Sequence, residues 1–243
     1  MKNKIKAYYK RLSFLPNFFS LFVNPFYFAR KGLYQGIKSF SHHIKGKTLD
    51  VGCGQKPYRS LFQVSEYIGM DMKDAGNENV NNEIDVYYDG KTFPFEDKSF
   101  DSVLCNQVFE HVFNPEEFLK EINRVTKPDG MLLMTVPFLW DEHSQPYDYA
   151  RYSSFGLSHV ITKHGFEIME FRKSVNDIRV IFQLINAYIF KKTVTKSNYI
   201  NLLFSLILMT PFNIIGEVFS FVLPRNDDLY LDNIVIAKKV NHL

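Results

Sequence analysis

The segment Thr48-Leu49-Asp50-Val51-Gly52-Cys53-Gly54-Gln55-Lys56-Pro57 constrains the fold of this chain more than any other. An apolar run ends near an acid, and two glycines follow with one residue between them. A strand that runs into such a bend must turn sharply, and glycine does so without a steric penalty while leaving backbone N–H groups near a ligand. A second apolar run, Tyr67-Ile68-Gly69-Met70-Asp71, ends on another acid 71 − 50 = 21 residues later. An acid at about that distance beyond a glycine bend accepts hydrogen bonds from a ribose diol. The third glycine of a dinucleotide fingerprint would fall at 57, where Pro57 stands instead; proline suits a first helical turn. A phosphate would call for basic side chains beside the glycines, and only Lys56 is close.

Beyond the bend, apolar runs alternate with helical or loop segments. Strands are expected at 47–51, 67–71, 84–88, 101–105, 130–136 and 166–171, and again within Leu229–Lys239. Helices are expected at 115–126, opened by Asn114-Pro115, and at 153–163, opened by Ser153 and closed by Gly165. Such alternation predicts an α/β fold with a mostly parallel sheet covered by helices on both faces. At 243 residues, the chain can bury one good core with appendages, or two small domains. It divides into a basic and aromatic helical extension (1–41), a core (42–175), an apolar helical insertion (176–228) and a last core strand with the C-terminus (229–243).

Four segments, LDVGCG, YIGMDM, FPFEDKSFDSVLCNQVFEHV and KPDGMLLMTVP, resemble in order and spacing the successive motifs of class I S-adenosylmethionine-dependent methyltransferases. The resemblance covers about 44–172, and 229–239 is similar to the family's last strand. It implies a Rossmann-like, doubly wound, seven-stranded sheet and S-adenosyl-L-methionine as cofactor. Carried over residue by residue, it implies that Asp50, Gly52 and Gly54 hold the methionine part. Asp71 would take the ribose hydroxyls and Asp89 the adenine amino group, with Asn106 and Gln107 closing the pocket. Read without the resemblance, Asp50 also suits a helix N-cap, Asp71 a loop acid and Asp89-Gly90 a turn. Cys53 and Cys105 read as small pocket-wall residues; no metal-ligand spacing surrounds them, and no metal is expected. Glu110-His111 reads either as an acid–base pair or as packing at a helix start.

Methyl transfer from a sulfonium is an in-line displacement that needs alignment and exclusion of water. A hydroxyl acceptor needs a base as well. The loop PFLWDEHSQPYDYARYSS after the fifth strand is long, polar and aromatic, the kind of loop that carries function. Imidazole ordinarily titrates near neutral pH, which makes His143 the candidate base. Tyr147 and Asp148 are candidates for binding the acceptor; Arg151 either shares that role or locks the loop through a carboxylate. The run Pro146–Tyr152, followed by Ser-Ser-Phe-Gly-Leu, resembles methyltransferases encoded with bacterial surface-polysaccharide genes. That resemblance implies a sugar hydroxyl on a glycan or its precursor, lipid-linked in one variant. Two other readings stand beside it: methylation of a quinone-like or other lipid ring, and a non-catalytic cofactor-binding or membrane scaffold. A nicotinamide dehydrogenase is disfavoured by Pro57.

The charge balance, 29 − 26 = +3, is too small to argue for a nucleic-acid partner by itself, and none is expected. Lys2, Lys4, Lys6, Lys10 and Arg11 make the start basic, suited to a solvated helix face or to an anionic membrane surface. Two cysteines fit a reducing compartment. Pro16, Asn17, Asn24 and Pro25 break the early apolar run, so no signal peptide is expected and the chain reads as cytoplasmic. Much of the aromatic content, 24 Phe and 14 Tyr, lies outside the catalytic part. The runs 178–190 and 199–223 approach membrane-helix composition, yet the first is short and the second holds Pro211, Asn213 and Glu217. If 229–239 rejoins the sheet, a single crossing is excluded. A helix pair lying at the inner face of the cell membrane, forming a homodimer or covering the substrate is therefore expected.

Overall fold

The structure, a computed structural model, describes residues 13–72 and 83–240; the basic run Lys2–Arg11 lies outside them. Seven strands form one sheet: β1 (Lys47–Val51), β2 (Glu66–Met72), β3 (Val86–Tyr88), β4 (Phe100–Asn106), β5 (Thr126–Pro137), β6 (Phe166–Ser174) and β7 (Asp232–Lys239), in the order β3-β2-β1-β4-β5-β7-β6. The pairs β1–β2, β1–β4, β2–β3 and β4–β5 are parallel. The chain leaves β1 toward one side of the sheet and returns beside it with β4, so strand order reverses there. In an open α/β sheet that reversal opens a crevice beyond the carboxyl ends of the strands. The expected doubly wound, mostly parallel, Rossmann-like sheet is the one observed.

Local sequence explains these elements. Leu49, Val51, Val103 and Cys105 in the central strands are fully buried, as central parallel strands covered on both faces require. Helix α1 (Pro115–Val125) starts with proline and places Glu116 and Glu117 in its first turn, where acids complement the helix dipole. Its Phe118, Leu119, Ile122 and Val125 form the buried stripe. Helix α2 (Ser154–Lys163) is capped by the Ser153 hydroxyl, which accepts the Gly156 N–H at 3.2 Å. The largest boundary difference is at β5, which begins at Thr126 instead of 130; β3 begins at Val86 instead of 84, and β6 runs on to Ser174 instead of 171. The register slips between Phe100 and Ser102, and Asp129 takes a left-handed φ of 61°. The Lys127–Gly130 segment is thus absorbed as a bulge within the strand.

The chain divides into two compact units. One holds residues 36–138, 142–172 and 233–243, with the core built on Leu49, Phe100, Leu119, Met134 and Val235. The other comprises the residues up to Gln35, 139–141 and 173–232, so N-terminal segment and insertion fold together. Its core includes Ala29, Val180 and Leu231. Helix α3 (Arg179–Thr193) is followed by a continuous helical stretch: α4 (Asn198–Phe204), a π turn at Ser205–Met209 and α5 (Thr210–Val222). This 25-residue stretch, Asn198–Val222, is long and apolar enough, by length and composition, to cross a membrane. The residues read as interruptions have partners inside the unit. Pro211 sits in the first turn of α5. The Asn213 amide donates to the carbonyls of Leu21 and Asn24 at 2.8 and 3.2 Å. Glu217 pairs with Lys31 at 2.5 Å and Arg179 at 3.3 Å.

Candidate active site

At the carboxyl ends of β1, β4 and β5 lies a cavity of about 30 Å³ whose lining includes Asp50, Gly52, Tyr58, Tyr67, Asn106 and Thr135. Asp50 is buried, and the Tyr67 hydroxyl donates to its Oδ2 at 2.6 Å. Burial pushes its carboxyl up to about 7; the tyrosine hydrogen bond and the nearby Lys56 ammonium oppose the rise, while the Asp71 charge adds to it. Lys56 is itself paired with Asp85 at 2.5 Å, and Asp85 also accepts the Gly69 N–H at 2.7 Å.

The glycine bend is tied to the neighbouring strand. The amides of Gly52 and Cys53 both donate to the Met70 carbonyl, at 2.8 and 3.1 Å. The Gly54 amide donates to Asp71 Oδ2 at 2.9 Å. These donors close the turn onto β2. What the glycines supply is conformation and space. Gly52 has φ 66°, and a Cβ there would strike Val108, whereas at Gly54, φ 49°, a Cβ would meet open space.

The other predicted residues divide. Asn106 lines the cavity, and its Oδ1 accepts from the Thr135 hydroxyl at 2.6 Å. Gln107, at φ 55°, is tied to the same threonine through its backbone N–H and its side-chain amide. Asp89 is exposed and closes a turn: its Oδ1 accepts the N–H groups of Lys91 and Thr92 at 2.8 and 3.0 Å, which hold its carboxyl below the usual range. Among the described residues it stands outside the lining of the cavity.

A second cluster gathers the loop after β5 around the short turn Phe109–His111 that follows β4. The Glu110 carbonyl accepts the N–H groups of Tyr149 and Ala150 at 2.9 and 3.2 Å, and Phe109 stacks on Tyr152 with centroids 4.9 Å apart. The Asn233 amide on β7 donates to the Tyr152 carbonyl at 2.8 Å. So clamped, the loop brings His143 and His111 to Glu110: Nε2 of His143 lies 3.9 Å and Nε2 of His111 3.8 Å from Glu110 Oε1. Glu110 is fully buried and His143 about one third exposed, 32%. Arg151 grips Asp148 through both oxygens, at 2.5 and 2.7 Å. Burial alone would raise the Asp148 carboxyl, but the guanidinium and the His143 backbone N–H, which donates at 2.9 Å, hold it down at about 2. Of the two roles open to Arg151, the structure displays the loop-locking one. Tyr147 is exposed, with its carbonyl 2.7 Å from His111 Nδ1. The sequence marked Glu110-His111 but gave no reason to join it to His143; that link runs through backbone hydrogen bonds, which spacing does not disclose. Tyr67 was missed altogether.

Residues 49–134 match the model of a family described as a methyltransferase domain. Among curated proteins, a demethylmenaquinone methyltransferase of Staphylococcus haemolyticus is 35% identical over 105 residues, covering 37% of this chain and 44% of that one. A fatty-acid O-methyltransferase of Mycolicibacterium smegmatis is 34% identical over 104 residues, covering 38% of each. This chain thus spans less than half the length of these relatives. In three dimensions, an S-adenosylmethionine-dependent methyltransferase of Archaeoglobus fulgidus superposes with a TM-score of 0.55 at 17% identity, over 92% of this chain and 100% of that one. Residues 49–134 are thus similar to a methyltransferase domain, and the fold is the one found in solved S-adenosylmethionine-dependent methyltransferases.

Proposed function

We propose that the chain transfers a methyl group from S-adenosyl-L-methionine to a hydroxyl of a sugar or glycan precursor. The observation that carries this reading is the imidazole of His143, held on the loop after β5 between Asp148 and the buried Glu110. The residues around the cavity fit the methionine end of the cofactor: a buried acid whose carboxyl is pushed up gains from a neighbouring ammonium, and the bend leaves room at Gly54. Bound there, the cofactor supplies an electrophilic methyl on a sulfonium. Asp50 pairs with its ammonium, and Tyr67 keeps that carboxylate oriented. Asp71 and Asp89 are assigned to the ribose and the adenine amino group by the family resemblance. Asn106 and Gln107, braced on Thr135, complete the wall.

On the acceptor side, His143 activates the hydroxyl while Asp148, clamped by Arg151, fixes the loop. Tyr147 offers an exposed ring to a sugar face. A quinone-like or lipid ring is the second reading, favoured by the exposed apolar side chains of the helical unit, Tyr199, Ile207 and Phe221 among them. These side chains also support peripheral contact with the inner face of the cell membrane, where a lipid-linked acceptor would be met. A second copy of the chain is the competing cover for them.

A tritiated-methyl assay across glycan and lipid fractions of a host extract tests the reading, with label expected in the glycan fraction. The variant His143→Ala is expected to hold cofactor affinity within about twofold and to lose about 10²- to 10⁴-fold in turnover, the usual range for proton-transfer catalysis. Label confined to apolar lipid favours the second reading. Cofactor binding with no transfer to any fraction leaves a scaffold.

A further inference from the structure

We propose that Glu110, His111 and His143 form a binding site for a divalent transition-metal ion, with two imidazole nitrogens and one carboxylate oxygen as ligands. One ligand-capable atom from each residue lies within 4.8 Å of the others. The distances from Glu110 Oε1 to the two Nε2 atoms, 3.8 and 3.9 Å, are too long for N–H···O hydrogen bonds, which end near about 3.2 Å. They are near the spacing that an ion sets between its donors: with bonds of about 2.1 Å in a tetrahedron, donors stand about 3.4 Å apart. A contraction of about half an ångström at these two distances, with the two imidazole nitrogens, within 4.8 Å of each other, drawn in as well, would close the site around an ion.

The ring orientation points the same way. His111 Nδ1 lies 2.7 Å from the Tyr147 carbonyl, which can only accept, so Nδ1 carries a hydrogen, and Nε2 is the ring nitrogen that faces Glu110 Oε1 at 3.8 Å. At its far nitrogen, His143 Nδ1 lies 3.4 Å from both Asp148 Oδ2 and Arg151 Nη2, so the Arg151–Asp148 pair holds that side of the ring. The supports are in place as well, because the two amides bonded to the Glu110 carbonyl bring ligands 143 − 110 = 33 residues apart to one point. Two nitrogens and one oxygen suit zinc, manganese, iron or cobalt in the divalent state better than calcium or magnesium.

Three protein ligands leave coordination positions open. Resting on the methyl-transfer reading above, we assign those positions to oxygens of the acceptor. With the ion bound, His143 acts on the hydroxyl through the ion instead of as a free base: the ion-bound hydroxyl is more acidic and gives its proton to water, and the O–CH3 bond forms as the S–CH3 bond of the cofactor breaks, leaving the neutral thioether.

The test uses the full chain, stripped with chelator, dialysed and titrated with Co²⁺. The expected result is one Co²⁺ per chain, with the visible absorption of a four- or five-coordinate nitrogen–oxygen site that Zn²⁺ displaces. Glu110→Gln and His143→Ala should weaken binding at least about tenfold, while His159→Ala, an exposed histidine outside the cluster, should not change it. His143 is partly exposed, so its variant keeps the test open if Glu110→Gln fails to fold, as checked by circular dichroism. Absence of the absorption in the stripped wild type, or equal binding by wild type and His143→Ala, would overturn the site. The two proposals fail separately. Methyl transfer that survives chelation without a cobalt signal removes the metal and keeps the methyltransferase; a cobalt signal without transfer to any acceptor keeps the site and removes the acceptor reading.

Discussion

At the scale of single residues, Asp50 makes the sharpest prediction. Burial, above all, lifts its carboxyl to about 7, against about 3.9 in an unfolded chain. A raised carboxyl means that between about pH 4 and 7 the folded state holds a proton that the unfolded state has lost. The ligand-free protein should therefore lose stability as pH rises through that window, by at most about 4 kcal/mol, and Asp50→Asn should flatten the slope. A cationic ligand beside Asp50 favours the carboxylate, so cofactor binding at pH 6 should release a proton and binding at pH 8.5 should release almost none. Calorimetry in two buffers of different ionisation enthalpy reads this directly; equal heats at pH 6 would remove Asp50 from the ammonium site. Asp71 teaches the complementary lesson. A sequence displays an acid at a strand end, but not that one of its oxygens already holds the Gly54 amide.

At the scale of elements, the glycine bend separates two glycines that the motif treats alike. Both have positive φ, so an alanine at either costs about 1–2 kcal/mol from the backbone alone. At Gly54 nothing else is met, whereas at Gly52 the new methyl strikes Val108 and the turn leading to Glu110 must shift. Gly54→Ala should lower stability by about 1–2 kcal/mol, and Gly52→Ala by a further 1–3 kcal/mol or so, the usual range for overpacking. Chemical denaturation compares them, and equal midpoints would mean that the Val108 contact is soft. The same scale decides what the sequence disclosed. β1, β4 and α1 were legible because their apolar periodicity and start residues are local signals. The start of β5 was not, because no apolar run marks residues 127–129, which enter the strand only as part of a bulge. Asn213 and Glu217 looked like breaks in an apolar helix because their partners, Leu21, Asn24, Lys31 and Arg179, come from distant parts of the chain. The site followed the same rule: acids at strand ends could be read, while the meeting of Glu110, His111 and His143 depends on how one loop is tied down.

At the scale of the whole molecule, the helical unit turns its polar groups inward and leaves large apolar side chains in water. Phe221 is 86% exposed and Tyr199 85%, with Val222, Ile207 and Val218 also open. An apolar surface of this kind calls for a cover. The stretch Asn198–Val222 has the length of a membrane span, but β6 and β7 flank it in sequence and lie side by side in the sheet. A single crossing would put these two strands on opposite sides of a bilayer. In the peripheral arrangement proposed above, the strands stay together and the helices lie along the interface, apolar side chains toward the lipid. The full chain should therefore float with vesicles containing anionic lipid. Phe221→Ser together with Val222→Ser removes side chains that pack little within the protein, so folding and cofactor affinity should hold while vesicle binding drops at least about tenfold, given about 1.5–3 kcal/mol for each large apolar side chain buried. Sedimentation of the same two proteins supplies the alternative: a wild-type dimer that the double variant converts to monomer, with no flotation of either, would mean that this surface is covered by another copy of the chain and not by a membrane.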